Sequence, residues 1–172
     1  MAYVGQTGIV IPVSEGQPLL DAVAERFPDA VRTGVPAHLS LLYPFVPAAE
    51  LDEHVVSTLT SIFAQHEPLS VKFAGIVRSD GFVALRPEPA DRVEALASAV
   101  RSRWPDVVPY DGRYDAEPHL TVAMQTTEDR AGSIERELLP GWVPLSAELR
   151  EAWLVEFDGQ WQLRSRFILG AS

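Results

Sequence analysis

Val35-Pro36-Ala37-His38-Leu39-Ser40-Leu41-Leu42-Tyr43-Pro44-Phe45 and Glu117-Pro118-His119-Leu120-Thr121-Val122-Ala123-Met124 hold the same short pattern. Each offers a histidine, an apolar residue, a hydroxyl residue and a second apolar residue inside an apolar run of strand length. Side chains alternate faces along a β-strand, so His38 and Ser40 share one face and Leu39 and Leu41 take the other. The same rule pairs His119 with Thr121 and sets Leu120 and Val122 against them. Each strand therefore presents an imidazole beside a hydroxyl, roughly 6–7 Å apart along the chain. The apolar face can close a core. The polar face is costly to bury unpaired, so it lines a groove or meets partners. The pattern alone is equally compatible with two unrelated strands whose histidines are satisfied by hydrogen bonds within the core.

Composition narrows what surrounds these strands. The chain has 172 residues, 47% of them hydrophobic, enough for one domain with a proper core. Acidic residues number 24 against 14 basic ones, a formal net charge of −10, and Lys72 is the single lysine. That balance argues against binding long nucleic acid, where neutralising phosphates drives affinity. It leaves room for a local basic pocket that holds one phosphate or a short oligonucleotide. No cysteine is present, which excludes disulfides, thiolate metal sites and a cysteine nucleophile. No apolar run approaches the ~20 residues that span a membrane, and no signal segment precedes the first strand. A cytoplasmic monomer is the expectation.

Along the chain, Thr7–Val13 reads as a strand, and Ser14 as the cap of a helix from Pro18 to Phe27. The first motif strand ends at Pro44 and Pro47. A helix is predicted from Ala48 to His66, with Leu51, Val55, Leu59, Ile62 and Phe63 inward. His54 and His66 fall on this helix and read as structural. Leu69–Val77 and Phe82–Arg86 make a hairpin about the turn Ser79-Asp80-Gly81. Asp91–Trp104 is a helix stopped by Pro105. A polar connection, Asp106–Pro118, then holds Tyr110, Arg113 and Tyr114, which suit contacts to a base or phosphate and equally suit an ordered surface loop. After the second motif come a helix from Thr126 to Leu139 and strands over Val143–Leu149, Glu151–Phe157 and Trp161–Leu169. The predicted order is β-α-β-α-β-β-α-β-α-β-β-β. Each motif strand lies between two helices, and the motifs recur 81 residues apart, from 38 to 119. This coarse repeat predicts a single α+β domain: two pseudo-symmetric lobes, each an antiparallel sheet with helices outside, related by a pseudo-two-fold.

Taken with the stretch from Val155-Glu156 to Trp161 and Arg166-Phe167-Ile168-Leu169-Gly170, the two motifs make this sequence resemble the 2H phosphoesterase superfamily, in its bacterial 2′-5′ RNA ligase-like branch. Ser40 stands where that family more often has threonine, and either hydroxyl can donate to a phosphate. The resemblance implies a bilobal fold whose motif strands face each other across a cleft. It implies a metal-independent phosphodiesterase with no cofactor. Its substrates would be 2′,3′-cyclic phosphates, 2′-5′-linked nucleotides or short RNA, or related cyclic phosphates of ADP-ribose.

The chemistry suits those residues. Cleaving a phosphodiester with water needs one proton taken and one given, and an imidazole pair near pH 7 can do both. His38 and His119 are the candidate general acid and base, in an order the sequence leaves open. Ser40 and Thr121 are candidates to donate hydrogen bonds to the non-bridging oxygens. An arginine should help hold the phosphate: Arg166, Arg164, Arg86, Arg78 and Arg113 are candidates, with Tyr114 for a base. Tyr43 has the parity opposite to His38 in a regular strand and is assigned to the core with Phe45, as are the four tryptophans. Two other readings stay open: a non-catalytic module that binds a nucleotide or anion in the cleft, and a zinc-dependent hydrolase built on the two histidines.

Overall fold

The computed structural model describes residues 2–32, 34–108 and 117–171. The elements follow the order read from the sequence: β1 (Thr7–Pro12), α1 (Gln17–Arg26), β2 (His38–Leu42), α2 (Glu53–Ala64), β3 (Leu69–Ser79), β4 (Phe82–Glu88), α3 (Asp91–Arg103), β5 (Leu120–Ala123), α4 (Glu128–Ser133), β6 (Leu145–Leu149), β7 (Glu151–Phe157) and β8 (Trp161–Ile168). Helix ends depart from the sequence reading where a different cap wins. Asp52 accepts a hydrogen bond from the Val55 backbone N–H at 2.9 Å, so α2 starts there, and Ala48–Glu50 forms only a 3-10 turn. Ser14 likewise opens a 3-10 turn, and α1 begins at Gln17 with Pro18 in its first turn.

All the strands join one antiparallel sheet in the order β6-β3-β4-β5-β2-β1-β7-β8. The two lobes expected from the repeat are its halves, β6-β3-β4-β5 and β2-β1-β7-β8. Each motif strand is the inner edge of one half. The halves meet through a narrow seam, registered at Leu39 opposite Leu120. One apolar cluster lies under the whole sheet. It takes Leu39, Leu120, Leu85 and Ile11 from the strands, and Leu19, Leu59, Leu96 and Ala131 from the four helices. Helices therefore cover one face, with α3 on β2, α1 on β5, α2 on β8 and α4 on β4. Val10 and Ala84 are buried yet stand outside that cluster, on the opposite, open face.

A bulge corrects one assignment. β1 and β2 register Val10 with Ser40 but Ile9 with Leu42, so Leu41 is an extra residue. The alternation slips by one beyond it. Leu42 joins the helix side with Ile9, and Tyr43 crosses to the open face above Gly8. A Cβ placed on Gly8 would lie 2.9 Å from Tyr43 Cδ2. Tyr43 is thus no core residue: its hydroxyl donates to Gln6 Oε1 at 2.6 Å, and its ring meets the edge of Trp161 with centroids 5.7 Å apart. Phe45 does enter the core, edge-on to Trp104. Trp104 and Trp142 pack against the cluster, whereas Trp153 and Trp161 lie outside it on the open face.

Candidate active site

Continuing the antiparallel register one step to either side of Leu39 and Leu120 sets His38 opposite Thr121 and Ser40 opposite His119. Each motif's hydroxyl thus faces the other motif's imidazole. The two leucines are fully buried below, and the four polar side chains are half-buried above them on the open face. His38 and His119 occupy diagonal positions, whose separation across an antiparallel pair is about 7–8 Å. That spacing lets two rings flank one tetrahedral anion. The sequence places these residues on matching strands, but only the seam makes them neighbours.

Backbone carbonyls fix both rings alike. His38 Nδ1 lies 2.7 Å from the Pro36 carbonyl, and His119 Nδ1 lies 2.9 Å from the Glu117 carbonyl, two residues before each histidine. A carbonyl only accepts, so each Nδ1 carries the proton, and Nε2 is the ring nitrogen with a lone pair to accept one. Loss of hydration on burial holds the His38 pKa below the ordinary imidazole value of 6.5. The hydrogen bond to Pro36 opposes this, while the positive charges of Arg32 and His119 add to it. His119 also meets the Phe82 ring edge-on, with centroids 5.7 Å apart. Among the described residues, neither the Ser40 nor the Thr121 hydroxyl is engaged in a protein hydrogen bond.

The arginine candidates scatter. Arg86 pairs with Glu117 at 3.5 Å, on the strand beside β5. Arg78 is held by Glu128 at 3.1 Å and Glu135 at 3.3 Å, against α4. Arg164 pairs with Glu156 and lines a hollow with Leu51, Asp52 and Val56, on the helix side. Arg166 lies on the open face, over the Trp153 ring. Arg113, Tyr114 and Tyr110 lie outside the described residues. The cation that bears on His38 is Arg32, which is not among the arginines singled out from the sequence. It sits six positions ahead of His38, and its guanidinium reaches Met124 Sδ, just past β5, at 3.4 Å. Its only signal in the sequence is that closeness to the motif. His66 bonds the Ile62 carbonyl at 2.9 Å, and His54 is exposed on α2. No cluster of three or more His, Asp or Glu side chains is arranged for a metal among the described residues.

The family model of the 2′-5′ RNA ligase superfamily matches residues 12–161. The chain belongs to the 2′-5′ RNA ligase superfamily. Solved structures share its fold over nearly their whole length. E. coli LigT complexed with 3′-AMP superposes with a TM-score of 0.64 at 16% identity, covering 97% of this chain and 99% of that one. TT0787 of Thermus thermophilus gives 0.65 at 15%, with coverage of 97% and 99%. Usb1 of Kluyveromyces marxianus gives 0.54 at 14%, with coverage of 93% and 97%. At such identities the likeness is one of fold. No curated protein sequence matches the chain. Within this superfamily of phosphoesterase and ligase-like proteins, the motif strands here are the inner edges of the two lobes. Among the described residues, no helix is long and apolar enough to cross a membrane.

Proposed function

We propose that this protein is a metal-independent phosphodiesterase, acting on a 2′,3′-cyclic phosphate or a 2′-5′ phosphodiester of a nucleotide or short RNA. The observation that carries the reading is the registration of Leu39 with Leu120, which brings both imidazoles and both hydroxyls onto one face. His38 Nε2 takes the proton from the attacking water, and His119 Nε2–H gives one to the departing ribose oxygen. The roles are divided this way because burial and Arg32 favour neutral His38, the form that accepts a proton. Ser40 and Thr121 donate to the non-bridging oxygens, where charge gathers as the new bond forms. Joining a 2′-5′ bond would use the same two transfers, with a 5′-hydroxyl taking the place of water in attack on the cyclic phosphate and the 3′ ribose oxygen departing. Neither direction needs a metal.

The nucleotides found in one relative support the substrate class: E. coli LigT has been crystallised with 3′-AMP, ATP and NADP+. The acidic charge of −10 favours a mononucleotide or short oligonucleotide over long nucleic acid. A monomeric cytoplasmic protein completes the reading. Nucleoside 2′,3′-cyclic phosphates incubated with the protein in EDTA, and followed by chromatography, test it. The expected result is chelator-resistant opening to a single phosphomonoester isomer, lost in His38→Ala and His119→Ala. Tight nucleotide binding without turnover, or turnover abolished by EDTA, would overturn it.

A further inference from the structure

We propose that Trp153 and Arg166 form a second nucleotide subsite on the open face, which receives the nucleotide next to the one whose phosphate lies between the histidines. What lies between the histidines rests on the phosphodiesterase reading above. The register carries the placement. Ser40 pairs with Val10, Val10 with Trp153, and Trp153 with Arg166. Directly opposed residues of antiparallel strands point to the same side, so this row runs outward from the first motif along the open face. Strand spacing sets Trp153 about 12 Å from the seam. That distance suits a neighbouring nucleotide better than the base of the nucleotide at the histidines.

The row is built for a base and a phosphate. Glu151 Oε1 accepts the Trp153 indole N–H at 2.6 Å, which fixes the ring. The Arg166 guanidinium lies 5.7 Å from the indole centroid and extends the stacking surface with a cation. Among the described residues no carboxylate lies within ion-pair distance of Arg166, whereas Arg26, Arg78, Arg86 and Arg164 are all paired. In a chain carrying −10, an exposed arginine on an aromatic ring, on the same open face as the histidine pair, complements an anion. The other flank differs. There β3 and β6 present Lys72 opposite Ser146, and Ser70 bonded to Glu148. An oligonucleotide strand should therefore leave the seam toward β7 and β8.

The test compares a mononucleotide and a trinucleotide, each ending in the same 2′,3′-cyclic phosphate. In the native protein kcat/KM for the trinucleotide should be about tenfold higher, the worth of one stacked base. Trp153→Ala and Arg166→Gln should each lower that ratio toward one, with circular dichroism melts confirming that the variants fold. A native ratio near one, or variants that lower both substrates equally, overturns the subsite. Should native protein cleave neither substrate, the phosphodiesterase reading falls. Binding then decides the subsite: by calorimetry, a DNA trinucleotide 3′-phosphate should bind more tightly than the mononucleotide, and Trp153→Ala should abolish the difference. Equal binding of the two overturns it.

Discussion

If His38 and His119 act on one phosphorus, removing either should leave the other with little to contribute. Diagonal placement across the seam puts the two rings about 7–8 Å apart at their backbones, close enough to flank a single phosphate. A positioned acid or base contributes about 10²–10⁴-fold, or roughly 2.7–5.5 kcal/mol of transition-state stabilisation. His38→Ala and His119→Ala should each lose activity by a factor in that range. The double variant should lose no more than about tenfold beyond the worse single, because partners in one transition state are strongly non-additive. Two imidazoles working at separate sites would instead multiply their losses, to about 10⁴-fold or beyond. Opening of a nucleoside 2′,3′-cyclic phosphate in EDTA, followed by chromatography at saturating and limiting substrate, measures all four proteins. A double loss equal to the product of the singles would refute a shared phosphorus. So would native turnover in either single variant.

Other consequences follow from the same geometry. His38 is held neutral below the ordinary imidazole value of 6.5, so the acid limb of kcat/KM should fall on the acid side of that value. Removing a nearby cation lets His38 protonate more readily, so Arg32→Ala should move that limb to higher pH; a fixed limb would remove Arg32 from the site. Stability has the same sign: the unfolded chain binds a proton near pH 6.5 that folded His38 resists, so the melting temperature should drop as pH falls below 6.5, and less steeply in His38→Gln. Gly34→Ala and Gly81→Ala both force a side chain onto positive φ, +80° and +76°, but only Gly81 would drive its Cβ into the Thr126 carbonyl, at 1.9 Å. The first should cost about 1–2 kcal/mol, or ~2–8 °C of melting temperature, and the second clearly more; equal losses would contradict the packing of the β3–β4 turn on Thr126. Gly8→Ala should alter the tyrosine signal in near-ultraviolet circular dichroism, because the new methyl displaces Tyr43; an unchanged spectrum would put Tyr43 elsewhere.

The order of strands and helices is legible because it is written in local periodicity. Alternation marks β3 and β7, and the helical spacing of Val55, Leu59, Ile62 and Phe63 marks α2. The seam is not legible. Pairing between β2 and β5 joins residues far apart in the chain, and nothing in either strand states its partner's register. Parity arguments also fail at the first extra residue. A regular strand would send Tyr43 into the core, and Leu41 breaks that regularity. Apolar runs usually end in a core, which is why Trp153 and Trp161 read as core residues, yet a sheet covered by helices on one side has a second face. Arg32 is hidden for another reason: its approach to His38 is a matter of tertiary packing, and an arginine in a turn-rich segment has no periodic neighbour to single it out.

The central contrast is between a symmetric seam and asymmetric flanks. At the seam each lobe contributes one imidazole, one hydroxyl and one carbonyl two residues ahead of the imidazole, and the two sets face each other with the motifs crossed. Symmetry suits a reaction with one proton removed and one delivered, since the two tasks are mirror images and reverse when the reaction runs backward. A symmetric seam alone would have no means of choosing which ribose oxygen leaves. Direction must come from groups outside the repeat. Arg32 lies beside His38, Phe82 beside His119, and the Trp153–Arg166 pair extends from only one lobe. If those groups set the polarity, Arg32→Ala and Trp153→Ala together should degrade the choice between 2′- and 3′-phosphomonoester products more than they lower the rate. A product mixture unchanged while the rate falls would mean that polarity resides in the seam after all.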